Sequence, residues 1–328
     1  MEEIKSGIYE AIVTEVLAAE LALLAPSLSA QTNRLRHSEV ADRLAMHLGA
    51  VLERALNDLD DKVRVDVGVK LVRSLIDKIV ADTAVSGLRV EQPADVGELL
   101  TSILSFNPDG TLLKRAAPTI PLLDTTLLTN APGEPRVGSQ IQTEIDSADR
   151  IDIVMAFIRR TGIRPFLDAL RRHCQNSCEH LPLRVLTTVY TNSTELEALV
   201  ILKELGAEIK VSYDISTARL HAKAWQFYRA SGASTAYIGS SNLTHSAQVA
   251  GLEWNVRVSG LRNPDVIRKM SSVFEAYWES EDFRDFDVEE FKEATKRIES
   301  NGPAVFLSPV ELRLEPFQER LLEQINVA

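Results

Sequence analysis

Apolar positions recur at helical spacing along the first eighty residues. Ile8, Ile12, Leu17, Leu21 and Leu24 form one such run, and Pro26 stops it. Ser38, followed by Val40, Leu44, Leu48, Leu52 and Leu56, predicts a capped amphipathic helix. Residues 62–80 predict another, with Val65, Val69, Val72 and Ile76 on one stripe. Gly87 and Pro93 interrupt the pattern, and a short helix is expected over 96–104. Together these define a small helical domain over 1–106, read as a scaffold or protein-contact module without chemistry of its own. Pro108, Gly110, Pro118, Pro121, Pro132, Gly133 and Pro135 then crowd into 107–138, a density of breakers that marks a linker.

Beyond the linker the period changes. Short apolar runs of strand length occupy 151–157 (IDIVMAF), 183–190, 207–213, 223–228 and 235–239. Helical patterns fill 162–172 and 193–205 between them, and 262–279 and 288–300 after them. Strands alternating with helices predict an α/β domain over 139–300 with a largely parallel sheet.

Composition narrows the class. The chain has 328 residues, is 45% hydrophobic and 25% charged, which is ordinary globular composition rather than a fibrous or disordered one. Two cysteines are too few for a disulfide scaffold and suggest a cytosolic protein. The acidic start MEEIK does not read as an export signal. The best apolar stretch, 8–28, is broken by Glu10, Glu15 and Glu20, so no membrane span is expected. A net charge of −11 argues at first against a nucleic-acid partner. Its distribution changes that. Residues 1–120 hold 13 basic and 18 acidic side chains, 121–275 hold 17 and 16, and 276–328 hold 6 and 13. The acidity lies in the flanks, leaving the α/β region near neutral.

That region carries the candidate chemistry. His221 and Lys223 stand two apart on a predicted strand, so both project from one face. An imidazole beside an ammonium suits a phosphoryl group: the ring attacks while the cation neutralises oxygens. Gly239-Ser240-Ser241-Asn242 ends the next strand, where small residues let backbone approach a ligand and the polar side chains offer hydrogen bonds. Glu253 lies eleven residues further on, a carboxylate expected to orient the imidazole.

The order His-x-Lys, Gly-Ser-x-Asn, then an acid resembles the signature of the phospholipase D superfamily of phosphodiesterases. More narrowly, RLHAKAW, STAYIGSSNL, GLEWNV, LTTVYTNSTE and IDIVMAFIRRTGI resemble the nuclease domain found in front of bacterial DEAD/DEAH-type helicases. The resemblance implies an α/β fold with a phospholipase D-like mixed sheet flanked by helices, here behind an all-α N-terminal domain. It implies that His221 forms a phosphohistidine, that Lys223, Ser240 and Asn242 hold the non-bridging oxygens, that Glu253 orients His221, and that no metal or other cofactor is needed. The superfamily usually has an Asp five residues after the Lys; here Tyr228 stands there. That departure disfavours a lipid substrate more than phosphodiester cleavage in general. The superfamily also uses a second histidine as acid. None of His37, His47, His173, His180 and His245 sits in a His-x-Lys pair, so one chain holds half a site and a two-fold homodimer is expected. The implied substrate is DNA, with RNA possible on the same chemistry; the alternative is an idle nucleic-acid-binding or dimerisation module.

Other constellations weigh less. His173, Cys174, Cys178 and His180 (HCQNSCEH) invite a zinc reading, but adjacent His173 and Cys174 do not point readily at one ion, so a plain loop is expected. His245 reads as a solvent-facing helix start and Trp254 as core. Arg159 and Arg160, at a strand end, are candidate phosphate contacts, as are Thr187, Thr188 and Tyr190 along a groove. Residues 312–326 (LRLEPFQERLLEQIN) resemble the opening of a helicase motor, yet no GxxxxGK[ST] loop is present. Residues 301–328 are therefore expected to begin a downstream helicase region.

Overall fold

A computed structural model of the chain describes residues 4–104, 106, 109–112, 117–131, 133–176, 182–213, 220–244 and 253–300. The chain divides into two compact units, 1–103 and 104–328.

In the first unit, Thr14 caps α1 (Glu15–Leu21) by accepting the Leu17 N–H at 3.2 Å. The predicted helix from residue 8 is thus confined to its second half. The next helix, α2 (Val40–Asn57), begins where expected, but Glu39 rather than Ser38 occupies its cap position. Its carboxylate accepts the Arg36 N–H instead. Asp60 caps α3 (Asp61–Thr83). No helix forms over 96–104: Gly97 takes a φ of +64°, outside the right-handed helical region.

The second unit is built on one eight-stranded sheet. Its elements in chain order are β1 (Thr126–Leu128), α4 (Val137–Ser147), β2 (Arg150–Met155), α5 (Arg160–Ile163), α6 (Leu167–Asn176), β3 (Leu183–Thr188), α7 (Leu196–Glu204), β4 (Glu208–Ser212), β5 (Lys223–Tyr228), β6 (Thr235–Gly239), β7 (Asn255–Ser259), α8 (Pro264–Trp278), β8 (Phe283–Asp285) and α9 (Val288–Ser300). The strand order is β1-β7-β6-β5-β2-β3-β4-β8.

The sheet is mixed. Only β2–β3 and β3–β4 pair in parallel; every other neighbour is antiparallel. The largely parallel sheet expected from strand–helix alternation is therefore corrected. Alternation with helices stops after β4, and β5, β6 and β7 follow one another through connections too short for a crossover helix or through no helix among the described residues, which favours antiparallel pairing. Part of the stretch read as linker belongs to the fold: β1 adds an edge strand to β7, and α4 starts at Val137.

Two layers sandwich the sheet. On one face Ile141, Ile145, Phe166, Leu170, Leu199, Leu202 and Phe291, from α4, the α5–α6 connection, α6, α7 and α9, close over Ile151, Ile153, Val185, Val211, Trp225 and Phe227. On the other, Phe274 and Trp278 of α8 cover Val154, Leu186 and Leu220. Beneath α8, Arg184 is held by Asp152 (2.8 and 2.7 Å) and Glu275 (3.1 and 2.7 Å), with its guanidinium over the Phe274 and Trp278 rings. Among the described residues no helix is long and apolar enough to cross a membrane.

Candidate active site

β2 and β5 run antiparallel, with Met155 opposite Lys223, so the end of one strand and the start of the other meet at one edge of the sheet. His221 sits just before β5 rather than on it. The sequence placed both groups on one strand face; instead the Lys223 side chain reaches back. Its ammonium donates to the His221 carbonyl at 2.8 Å and lies 3.1 Å from Nδ1 and 3.4 Å from Nε2. Phe157, following β2, meets the His221 ring edge-on at 5.8 Å between centroids. The imidazole is exposed, whereas Lys223 is 9% exposed. Burial, the larger influence, pulls the Lys223 ammonium below its ordinary range, and the nearby Glu253 carboxylate pushes it back up.

The loop after β6 closes the other side. Gly239 has no room for a Cβ, which would lie 2.2 Å from the Trp254 carbonyl oxygen. That close approach lets Ser240 pair with Trp254, its N–H donating to the Trp254 carbonyl at 3.1 Å. The Ser240 hydroxyl donates to the Glu253 carboxylate and accepts the Trp254 N–H at 3.2 Å. Glu253 is thus brought to Ser240 and near Lys223, and it accepts from the serine rather than from the imidazole it was expected to orient. Asn255, buried at the start of β7, donates to Ser241 at 2.7 Å and fixes the middle of the loop.

Asn242 Oδ1 is buried without a hydrogen-bond partner. A buried amide oxygen without a partner is a costly arrangement. A half-turn about its last torsion would exchange Oδ1 for Nδ2 and aim a donor there instead.

The loop is also anchored to the segment after β2. Leu243 N–H donates to Phe157 O at 3.1 Å, and Arg159 N–H donates to Leu243 O at 2.9 Å. Gly162 of α5 lies against this backbone; a Cβ there would be 1.9 Å from Leu243 O. His221, Phe157 and the Ser240–Asn242 loop are therefore tied to one another through main chain.

Of the predicted phosphate contacts, Arg159 and Arg160 are exposed at the start of α5. Arg160 pairs with Glu197 at 3.0 Å, and its N–H donates to Glu195 at 2.8 Å. Thr188 is different. It is fully buried, its hydroxyl donates to Ser212 O and accepts the Tyr190 N–H, and so it offers a substrate nothing in this arrangement. Thr187 is equally buried. Trp254, expected in the core, is exposed. Tyr228 lies at the far end of β5, under the Arg150 guanidinium, with burial first among the causes that push its phenol up to about 12. His173 is buried, its Nε2 2.9 Å from Pro182 O, and burial raises the Cys174 thiol above its ordinary value. Cys178, His180, His245 and residues 301–328 fall outside the described residues.

Sequence reasoning missed Phe157, Gly162 and Asn255. The glycine and the asparagine stood inside conspicuous blocks, RRTGI and GLEWN, but nothing in one sequence says which backbone they touch.

The chain matches none of the curated proteins. Among solved structures it is similar to the phospholipase D family member Nuc from Salmonella typhimurium, at 15% identity over 50% of this chain and 97% of that one, with a TM-score of 0.37. NucT from Helicobacter pylori is similar at 15% identity over 50% of this chain and 99% of that one, TM-score 0.36. Polyphosphate kinase from Porphyromonas gingivalis is similar at 12% identity over 47% of this chain and 26% of that one, TM-score 0.35, so the chain spans about a quarter of its length. Residues 141–278 match the family model described as cardiolipin synthase, PLD-like domain. That segment, which holds His221, Lys223, Ser240, Asn242 and Glu253, has a phospholipase D-like fold.

Proposed function

We propose that this chain is a metal-independent phosphodiesterase, and specifically a DNA endonuclease, in which His221 is the nucleophile. The observation that carries the reading is the exposed His221 imidazole with the Lys223 ammonium 3.1 Å away. A ring nitrogen of His221 attacks phosphorus, a P–N bond forms and the P–O bond to the leaving strand breaks. Lys223, Ser240 and a reoriented Asn242 receive the charge on the non-bridging oxygens. The leaving oxygen takes a proton from a second imidazole. Water then attacks the phosphohistidine, returns a proton to that imidazole and frees His221.

The second imidazole comes from His221 of the partner subunit in a homodimer, because no other His-x-Lys pair exists in the chain. Arg159 and Arg160 flank the site as contacts for neighbouring phosphates. The near-neutral α/β region supports a polyanionic substrate better than the whole-chain charge does, and the grip on DNA is completed by a helicase motor downstream in a DNA-processing or defence protein of the cytoplasm.

The deciding experiment is cleavage of labelled DNA and RNA in EDTA by the wild type and by His221→Ala. Cleavage of DNA that survives EDTA and falls at least about 10³-fold in the variant is the expected result. Binding of nucleic acid by the wild type with no cleavage of any substrate would favour the idle binding module.

A further inference from the structure

A groove with mixed walls opens in the helical layer next to the candidate site. Arg160, Thr161, Arg164, Leu167 and Ile201, from α5, α6, α7 and the turn between α5 and α6, line an open volume of about 530 Å³. Small-ligand sites commonly measure about 300–1,000 Å³. Leu167 and Ile201 are half-buried and packed against the core, so they form a fixed apolar floor. Thr161 and Arg164 are exposed, and among the described residues no carboxylate pairs with Arg164. Arg160 pairs with Glu197 at 3.0 Å, but the two side chains are 61% and 60% exposed, and a pair so solvated exchanges readily for a phosphate.

Chemistry and position together narrow the occupant. An unpaired guanidinium beside a hydroxyl offers the planar donors that suit a phosphate, while an aliphatic floor suits the face of a base or sugar. A ligand with both parts is a nucleotide. The groove also adjoins the loop that carries Asn242, because α5 is fastened to it: Arg159 N–H donates to Leu243 O at 2.9 Å, and Gly162 lies against the same carbonyl. A strand whose phosphate sits at His221 therefore has this groove beside its path. Bases inside a duplex are paired and stacked on their neighbours, and only an unpaired strand can turn a base onto the floor.

We propose that this groove is a subsite for a nucleotide flanking the scissile phosphate of a single-stranded substrate, with Arg164 and Thr161 on its phosphate and Leu167 and Ile201 under its base. The inference rests on the phosphodiesterase reading above and deepens it by naming the strand form that the site accepts. Arg164 is a binding residue in this arrangement, and Arg160 joins it once the phosphate displaces Glu197.

The test is fluorescence anisotropy on the full chain in EDTA, in a His221→Ala background that keeps the probe intact. The probes are labelled oligo(dT) of about 12 nucleotides, an abasic strand of equal length, and a duplex of equal length. The single strand is expected to bind more tightly than the duplex. Arg164→Glu should weaken single-strand binding roughly 10- to 100-fold and duplex binding far less, whereas Arg164→Lys should keep most of the affinity. Arg164→Ala should lower the slope of log Kd against log salt by about 0.7, the share of one phosphate on a single strand. The abasic strand should bind about tenfold more weakly than oligo(dT), since it leaves the apolar floor uncovered. Rescue by Arg164→Lys separates lost contact from lost fold. Single-strand binding indifferent to Arg164→Glu, an equal loss on single strand and duplex, or an abasic strand held as tightly as oligo(dT) overturns the proposal. Cleavage of DNA in EDTA by the chain with His221 intact is scored separately. Cleavage alongside any of those three results overturns the groove alone; no cleavage alongside the expected binding pattern overturns the enzyme and upholds the groove; binding of no probe overturns both.

Discussion

At the scale of single residues, the site depends on how Lys223 stays protonated. Burial is the larger influence and lowers its ordinary value; Glu253 opposes it. Lys223 therefore loses its proton at lower pH than a free lysine does, and Glu253 holds that loss off. Glu253→Gln removes the opposing charge, so the Lys223 value should fall further. The alkaline limb of the rate profile for a small phosphodiester such as bis(p-nitrophenyl) phosphate should move to lower pH, with the acidic limb in place. An alkaline limb that does not move would detach Glu253 from Lys223 and leave it only the contact with Ser240. The same neighbourhood shows what spacing in a sequence conveys and what it does not. The two groups of His-x-Lys are in contact, yet not through a shared strand face: His221 lies ahead of β5, and the length of the lysine side chain closes the gap.

At the scale of elements, α5 has four residues, with Ile163 in the core, and it carries Gly162 against the backbone of the Asn242–Thr244 turn. A methyl at position 162 would meet Leu243 O at 1.9 Å, Leu243 C at 2.1 Å and Thr244 N at 2.5 Å, all main-chain atoms with no rotamer to escape into. Gly162→Ala should therefore destabilise the protein by about 1–3 kcal/mol in urea titration. It should also cut cleavage at temperatures where the chain remains folded, because the turn it displaces carries Asn242. Full activity in a folded Gly162→Ala protein would show that the turn tolerates displacement. Elements were legible where apolar residues dominate a run of strand length, as in β2, β3, β5 and β6. They were hidden where the buried face is polar. In α4, Gln140 and Glu144 are buried beside Ile141 and Ile145, and in β7 Asn255 and Arg257 are buried, so hydrophobic periodicity had little to register. The three-residue β1 lay among prolines, and only its partner β7 makes it a strand.

At the scale of the whole unit, the 117–126 segment is held to the sheet by a charge cluster as well as by Ile120 packed against the core. Arg257, with no exposed surface, donates to Glu144 at 2.8 Å and to the carbonyls of Ile120, Pro121 and Asp124 at 3.3, 3.0 and 2.7 Å. Ser259 adds a hydrogen bond to Leu122 O at 2.6 Å. Glu144 also accepts from Arg229, Thr235 and Tyr237, so one carboxylate bridges two guanidiniums and joins α4, β6, β7 and the turn after β5. Burial works to raise Glu144 above the ordinary carboxylate range, but Arg229 and Arg257 overcome it and the balance lies below that range. A carboxylate held lower in the folded chain than in the unfolded one contributes stability in full above the unfolded value of about 4.3, and loses it as pH falls through the folded value. Glu144→Gln strands both arginines in the interior and should cost about 3–5 kcal/mol near neutral pH. The difference in Tm between wild type and variant should then narrow as pH falls from 7 through 4 toward 3, since protonation gives the wild type the same uncharged group. Melting curves that run parallel across that range would place the acid sensitivity elsewhere, and the 117–126 segment would owe its attachment to contacts other than Glu144.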